Sequence, residues 1–275
     1  MSLSQVIGIV SGGASGLGAA TAAAIVRQGG RCIVADLPSQ HHNFLRLAAS
    51  SCAAATRTAS HDGTVLAFAE TDVTSEAQVS AALDLAEEHF GEPVNVCVSC
   101  AGIGMARKTL SRQKDDETML KVHSLVDFSK ALTVNTIGTF NLARLAAHRM
   151  ARREPDPEGL RGCIVNTASI AGFEGQKGQV AYAASKGAVI SMTLPLARDL
   201  ASHGIRVMTI APGLFKTPLL ENLPEKVQAE LGSMVPCPSR LGDPVEYSRL
   251  VVSILSNPMM NGETIRLDGA MRMPP

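Results

Sequence analysis

Tryptophan is absent from the 275-residue sequence, tyrosine occurs twice, and aromatic residues make up only 3% of the chain. So few rings argue against a base-stacking surface for single-stranded nucleic acid. An excess of charge of either sign is also missing: 25 Lys and Arg balance 25 Asp and Glu, and charged residues reach only 18%. That balance disfavours a strongly basic nucleic-acid binder and a disordered charged chain alike. Cysteine is sparse, with six in the chain, which speaks against a disulfide-stapled secreted domain and for free thiols. Cys97 and Cys100 have CxxC spacing, but they lie in the strand-like run VNVCVSCAG. An odd separation places their thiols on opposite faces, unlike a redox pair at a helix N-terminus. A long unbroken hydrophobic span is also lacking. The uncharged stretch 1–26 is interrupted by Gly8, Gly12, Gly13, Gly16 and Gly18. It therefore reads as a buried strand, a turn and a helix rather than a membrane span or a targeting segment.

What the chain does have is short apolar runs, rich in Val and Ile, alternating with helix-period segments. Strands are expected at 6–10, 31–36, 65–70, 94–99, 162–168, 206–211 and 264–268. Most are apolar at every position, as in a parallel sheet covered on both sides. A helix is expected over 16–28, stopped at Gly29-Gly30, and another over 76–90, capped by Thr74 or Ser75 and ended by Gly91. The alternation predicts an α/β fold: one doubly wound parallel sheet of about seven strands, a Rossmann fold, with helices on both faces and no domain boundary within 1–275. Two polar excursions, 104–130 and 213–245, belong near the carboxyl ends of strands, where ligands bind in such sheets.

The first strand runs into Ser11-Gly12-Gly13-Ala14-Ser15-Gly16-Leu17-Gly18 and then into a helix. Glycines there let the backbone turn tightly and approach a diphosphate, which the helix N-terminus then holds. Asp36 ends the second strand, 18 residues beyond Gly18. An acid at that place accepts hydrogen bonds from ribose hydroxyls and repels a 2′-phosphate. With Ser15 in the turn and Leu37 after the aspartate, no cation is offered to such a phosphate, so NAD is expected rather than NADP.

The fifth strand ends near Ser169, and Tyr182 and Lys186 follow at i and i+4 on one helix face. A phenol is a poor base near neutral pH, since its ordinary pKa is about 10. A neighbouring ammonium, with a cationic nicotinamide beside it, favours the phenolate. Tyr182 is then placed to take the proton of an alcohol as hydride leaves its carbon, with Ser169 holding the same oxygen. A dinucleotide-binding sensor without turnover has no need of these three residues, and all three are present.

In these pieces, together with Asp72-Val73, Cys100-Ala101-Gly102, Asn135 in VNTIG and Ala211-Pro212-Gly213, the chain resembles the short-chain dehydrogenase/reductase family over nearly its whole length. Segments such as NTASIAGFEGQ (166–176), GIRVMTIAPGLFKTPLL (204–220) and NGETIRLDGAMRM (261–273) narrow the resemblance to its type-2 3-hydroxyacyl-CoA dehydrogenase branch. That resemblance implies a homotetrameric, NAD-dependent oxidoreductase acting on the 3-hydroxyl of acyl-CoA thioesters, in fatty-acid or branched-chain degradation. Steroid or other secondary alcohols are the alternative substrates. It adds Asn135 to the catalytic set, holding a water that links Lys186 to solvent, and Gln176 to the substrate contacts. For the cofactor it implies contacts from Gly12, Ser15, Gly16, Leu17 and Gly18 in the turn. Asp72 and Val73 come at the adenine end, and Cys100, Ala101 and Gly102 near the adenine ribose. Tyr182, Lys186, Pro212 and Gly213 belong to the same set, with Phe215 and Thr217 on the carboxamide side of the nicotinamide. It also implies a mitochondrial location, although no residue before Arg27 is basic, which leaves the cytoplasm as the alternative.

Three further readings follow from the residues. His41 and His42 lie in a segment, 40–61, expected to be a solvated loop, and no metal site is expected. Lys177 is either a solvated loop residue or a point-charge contact to a CoA phosphate. Leu214, Leu219, Leu220, Leu223, Met234 and Val235 suggest an apolar lid over the substrate within 213–245. No nucleic-acid or membrane partner is expected.

Overall fold

A computed structural model describes residues 2–52, 64–112, 119–221 and 224–274. The chain begins with β1 (Ile7–Ser11), α1 (Gly16–Arg27), β2 (Arg31–Asp36), α2 (His41–Cys52), β3 (Leu66–Glu70), α3 (Glu76–Phe90) and β4 (Val96–Ser99). A short antiparallel hairpin, β5 (Leu110–Arg112) and β6 (Leu120–Val122), leads to α4 (Leu125–Leu132) and, through a π-helical turn at Thr133–Ile137, to α5 (Gly138–Met150). Then come β7 (Gly162–Thr167), α6 (Val180–Leu200), β8 (Ile205–Pro212), α7 (Pro218–Glu221), α8 (Glu225–Ser233), α9 (Pro244–Ser256) and β9 (Thr264–Leu267).

The seven long-range strands form one parallel sheet in the order β3-β2-β1-β4-β7-β8-β9. All seven expected strands are present, with ends shifted by one or two residues, and so are both expected helices. Ser75 caps α3 by accepting the Gln78 amide, and Gly91 ends it with a left-handed φ of 77°. Along each strand the side chains alternate between two cores. Val10, Val34, Val98 and Val165 join α9 residues Tyr247, Val251 and Ile254 on one face. Ile9, Ile33, Cys97 and Ile164 join α3 and α5 residues on the other. Cys97 thus faces one core while Cys100 packs against the other, as the odd spacing requires.

The excursions hold more order than the sequence suggested. Residues 41–52 are helical, not a solvated loop, because Phe44, Leu47 and Ala48 recur at helical spacing and pack on the core. His41 stacks among Phe44 and Phe68 at centroid distances of 6.0 and 5.0 Å, while His42 Nδ1 meets the Ser39 carbonyl at 3.0 Å. The rest of that segment, 53–63, lies outside the described residues. Among the described residues no group of three or more His, Cys, Asp or Glu is placed to hold a metal ion. One described helix, Val180–His203, is long and apolar enough to cross a membrane by length and composition. The sequence reading had found no such stretch. In the fold this helix packs on α4 and β8.

Strand order reverses between β1 and β4, and the crevice outside their carboxyl ends is where such a sheet binds its ligand. At the opposite, amino end of the sheet, Arg206 near the start of β8 is buried at 3% exposure. The Arg206 guanidinium donates to the carbonyls of Ile254 and Met260 at 3.0 and 2.7 Å and of Leu255 at 3.2 Å. It therefore closes the end of α9, whose last carbonyls have no helical partner. Arg206→Met leaves those carbonyls buried and unpaired. We expect it to lower stability by about 3 kcal/mol, read as a lower urea midpoint at unchanged slope.

Candidate active site

The glycine-rich turn needs its glycines for two approaches. A Cβ on Gly18 would lie 2.1 Å from the Gly12 carbonyl oxygen, so the first turn of α1 can sit on the loop only without a side chain. Gly12 itself has φ +60° and lies so close to Ala101 that a Cβ would come within 2.8 Å of the Ala101 amide nitrogen. The loops after β1 and β4 thus press together at the switch point, and Ser11 Oγ accepts the Ala101 amide at 3.3 Å. Asp36 closes the far side of the turn: its carboxylate accepts the amides of Ala14 at 3.0 Å and Leu37 at 2.8 Å. Burial pushes the Asp36 carboxyl up, and the two amides pull it back toward the ionised form. The Asp36 carbonyl also accepts the Thr71 amide, which brings Asp72 and Val73 to the same edge. The Asp72 carboxylate turns to Thr74, accepting its amide and its hydroxyl at 2.9 and 2.8 Å. Val73 is buried against Gly138.

The second half of the site stands on β7 and α6. Ser169 caps a short 3₁₀ turn by accepting the Ala171 amide at 3.1 Å, and its hydroxyl faces the Tyr182 phenol, where it favours the phenolate. Lys186 sits with Nζ 5.9 Å from the centre of the Tyr182 ring and donates to the Thr167 carbonyl at 2.9 Å. Asn135, wholly buried in the π-helical turn, clasps the backbone of Ile103: Oδ1 accepts its amide at 2.8 Å and Nδ2 donates to its carbonyl at 3.0 Å. The same Nδ2 donates to Ser185 at 3.0 Å, and Ser185 in turn donates to the Tyr182 carbonyl at 2.7 Å. Gly102 leaves open the space between Asn135 and Lys186, where a Cβ would come 3.1 Å from Oδ1 and 3.5 Å from Nζ.

The electrostatics of the protein alone differ from the expectation. Tyr182 is raised, not lowered: burial dominates, and the hydrogen bond from Ser169 only partly opposes it. Lys186 is lowered to about 8, again by burial. Loss of solvent outweighs the attraction between two groups whose charges are not in contact.

Several implied contacts are narrowed by packing. The Phe215 ring is buried in the core against Gly242, so only its backbone is offered to a cofactor. Thr217 lies beside Gly16, at 3.3 Å from where a Cβ would be. Pro212 ends β8, and Gly213 passes so close to Asp268 that a Cβ would come within 2.9 Å. Gln176 Nε2 donates to the Pro274 carbonyl at 3.2 Å, and Lys177 beside it is exposed. Of the apolar lid residues, Val235 is core, packed with Ile170 and Met271, and Leu214 lines the same cluster. Met234 remains 39% exposed. Leu223 and the side chain of Leu219 lie outside the described residues. The sequence reading missed Glu174, Arg266 and Tyr247. Arg266 donates to Glu174 and Asp268, both at 2.7 Å, and so ties the loop after Ser169 to the C-terminal segment.

A glycine cradle at the switch point, with a tyrosine, a serine and a buried lysine at the neighbouring strand ends, defines a dinucleotide-dependent oxidoreductase. A profile of the short chain dehydrogenase family matches residues 6–228, and the chain belongs to that family. It is 53% identical over 275 residues to the 3-hydroxyacyl-CoA dehydrogenase type-2 of Bos taurus, spanning 100% of this chain and 98% of that protein. The protein of the same name from Homo sapiens is 52% identical over 274 residues, again covering 100% and 98%. The crystal structure of 3-hydroxyacyl-CoA dehydrogenase type-2 from Mycobacterium avium superposes with a TM-score of 0.86 at 40% identity, covering 98% of this chain and 97% of that one.

The depressed Lys186 gives a test of the site without any ligand. Its folded pKa, about 8, lies below the ordinary lysine value of 10.5. Below pH 8 the buried ammonium destabilises the fold, and the penalty is lifted as pH rises toward 10.5. Wild type should therefore gain about 3 kcal/mol relative to Lys186→Met across that window, read by denaturant unfolding of both proteins at each pH.

Proposed function

We propose that the protein oxidises the 3-hydroxyl of 3-hydroxyacyl-CoA thioesters with NAD as hydride acceptor. The observation that carries this reading is Tyr182, with Ser169 facing its phenol, beside buried Lys186, whose Nζ lies 5.9 Å from the Tyr182 ring centre, in a chain similar over its full length to type-2 3-hydroxyacyl-CoA dehydrogenases. The residues present fit a dinucleotide: the turn from Gly12 to Gly18 leaves room where side chains would clash, and the cradle at Gly102 is open. Gly12, Ser15, Gly16, Leu17 and Gly18 would hold the diphosphate. Asp36 would hold a ribose, Asp72, Val73, Cys100 and Ala101 the adenosine end, and Gly213, the Phe215 backbone and Thr217 the nicotinamide end. When bound, the oxidised nicotinamide supplies the hydride acceptor and a positive charge.

Ser169 fixes the substrate hydroxyl, and Tyr182 takes its proton as the carbonyl forms. Lys186 keeps the phenolate accessible once a second positive charge enters the site. Asn135 still has one lone pair on Oδ1, facing Gly102 and Lys186, and in this reading it holds the water through which the proton leaves. Gln176 would meet the acyl group. Turnover of 3-hydroxybutyryl-CoA, followed as NADH at 340 nm, should fall by at least about a hundredfold in Tyr182→Phe. Turnover of a 17β-hydroxysteroid in place of the thioester would move the substrate assignment. Asp36→Ala should reduce the preference for NAD over NADP by about tenfold or more, measured as the ratio of kcat/KM values.

The assembly we infer is a homotetramer. Its support is apolar surface left bare on one stretch of chain: Leu125 and Val126 on α4 are 76% and 77% exposed, and Ile137 and Phe140 at the start of α5 are 55% and 43% exposed. Surfaces of this kind mark subunit contacts. Val126→Asp combined with Phe140→Glu should shift the sedimentation coefficient to a smaller species than wild type. The mitochondrion is the proposed location, carried by the family resemblance and tested by cell fractionation.

A further inference from the structure

Tyr247 is the second of the chain's two tyrosines, and nothing in the reaction described above uses it. It lies on α9, wholly buried, in the core on the opposite side of the sheet from the core that α6 residue Ala197 joins. A phenylalanine would fill that core equally well, so the hydroxyl needs its own account, since a buried O–H costs free energy unless it is paired. Its partners are specific. Tyr247 OH lies 2.7 Å from Thr167 Oγ1 and receives the Cys100 thiol at 3.8 Å, while Thr167 Oγ1 donates to Cys100 Sγ at 3.5 Å. The three groups close a ring between the end of β4 and the end of β7.

Both anchored residues are one step from Lys186. The carbonyl of Thr167 is the acceptor of the Lys186 ammonium, at 2.9 Å. Cys100 precedes Ala101 and Gly102, and Gly102 lies beside Lys186 and leaves room for Asn135 Oδ1, which a Cβ would approach to 3.1 Å. Thr167 turns its hydroxyl to α9 and its carbonyl to α6, so rotating that peptide would move both contacts together. We propose that Tyr247 is a positioning residue of the dehydrogenase reaction: by holding the Thr167 side chain and Cys100 from the far layer, it fixes the Thr167 carbonyl that orients Lys186.

This rests on Lys186 acting in catalysis, but its first readout does not. The ionisable groups facing Lys186 are Tyr182 on its own helix and Cys100 at the end of β4. A carbonyl in contact with an ammonium favours the charged form, so releasing it lowers the lysine's titration midpoint. In the cofactor-free full chain labelled with ¹³C-lysine, the Lys186 Cε resonance of Tyr247→Phe should titrate at least about half a pH unit lower than in wild type. The alkaline limb of kcat/KM on 3-hydroxybutyryl-CoA should move to lower pH with it, and kcat should fall by about fivefold or more. Thr167→Val should reproduce these changes and Thr167→Ser, which keeps the hydroxyl, should not. The Tyr247→Phe, Thr167→Val double variant should be no worse than either single.

Coincident Lys186 titrations in wild type and Tyr247→Phe would overturn the proposal, as would fully additive losses in the double variant; either would leave Tyr247 as packing. If Tyr247→Phe does not fold, the Val and Ser variants of Thr167 decide alone, and equal Lys186 midpoints in the two would overturn it. Absence of turnover on the thioester in wild type would instead fail the substrate assignment, with the titration still readable.

Discussion

An ammonium group held at 5% exposure must be offset by its surroundings, and the site is arranged around its burial. Lys186 reaches the carboxyl edge of the sheet beside Gly102, where an added Cβ would crowd Asn135 Oδ1 at 3.1 Å. It stays there because the Thr167 carbonyl accepts it, and because Asn135 holds both Ile103 and Ser185, joining the loop after β4 to α6. Move any of these and the lysine is either squeezed out or left buried and unpaired, which is worse than having no charge at all.

The same burial explains why the protein alone is not yet poised. Desolvation raises Tyr182 and lowers Lys186, so each group favours its neutral form. The positive charge that would favour a phenolate belongs to the oxidised cofactor. In the proposed reaction the electrostatics are divided: the chain would supply position, dryness and hydrogen bonds, and a bound oxidised dinucleotide would supply the charge that completes them. Such a division ties proton transfer to occupancy of the site.

Much of this was legible from the residues. The all-apolar Val and Ile runs gave the strands because only a sheet covered on both faces tolerates them, and the glycine turn and Asp36 followed from spacing along a strand–turn–helix unit. Tyr182 and Lys186 were legible as i and i+4 on one helix. The pairing of 110–112 with 120–122 was not, because short, largely exposed strands of three residues carry no hydrophobic period. Nor was helix α2, where two histidines and four polar residues, Asn43, Arg46, Ser50 and Ser51, masked the spacing of Phe44, Leu47 and Ala48. Phe215 was assigned to the cofactor by resemblance, while its ring went to the core.

The sequence by itself therefore determined the strand and helix order, the glycine-rich turn, and the placing of Tyr182 and Lys186 on one helix, because each is set by neighbours within a few residues. Tertiary structure alone decided what surrounds them. Tyr247 meets Thr167 across 80 positions of chain, Arg266 meets Glu174 across 92, and Arg206 meets the end of α9 across roughly half a hundred. No local pattern encodes such contacts, because they arise only when parallel strands bring distant segments to one edge and buried polar groups must find partners there.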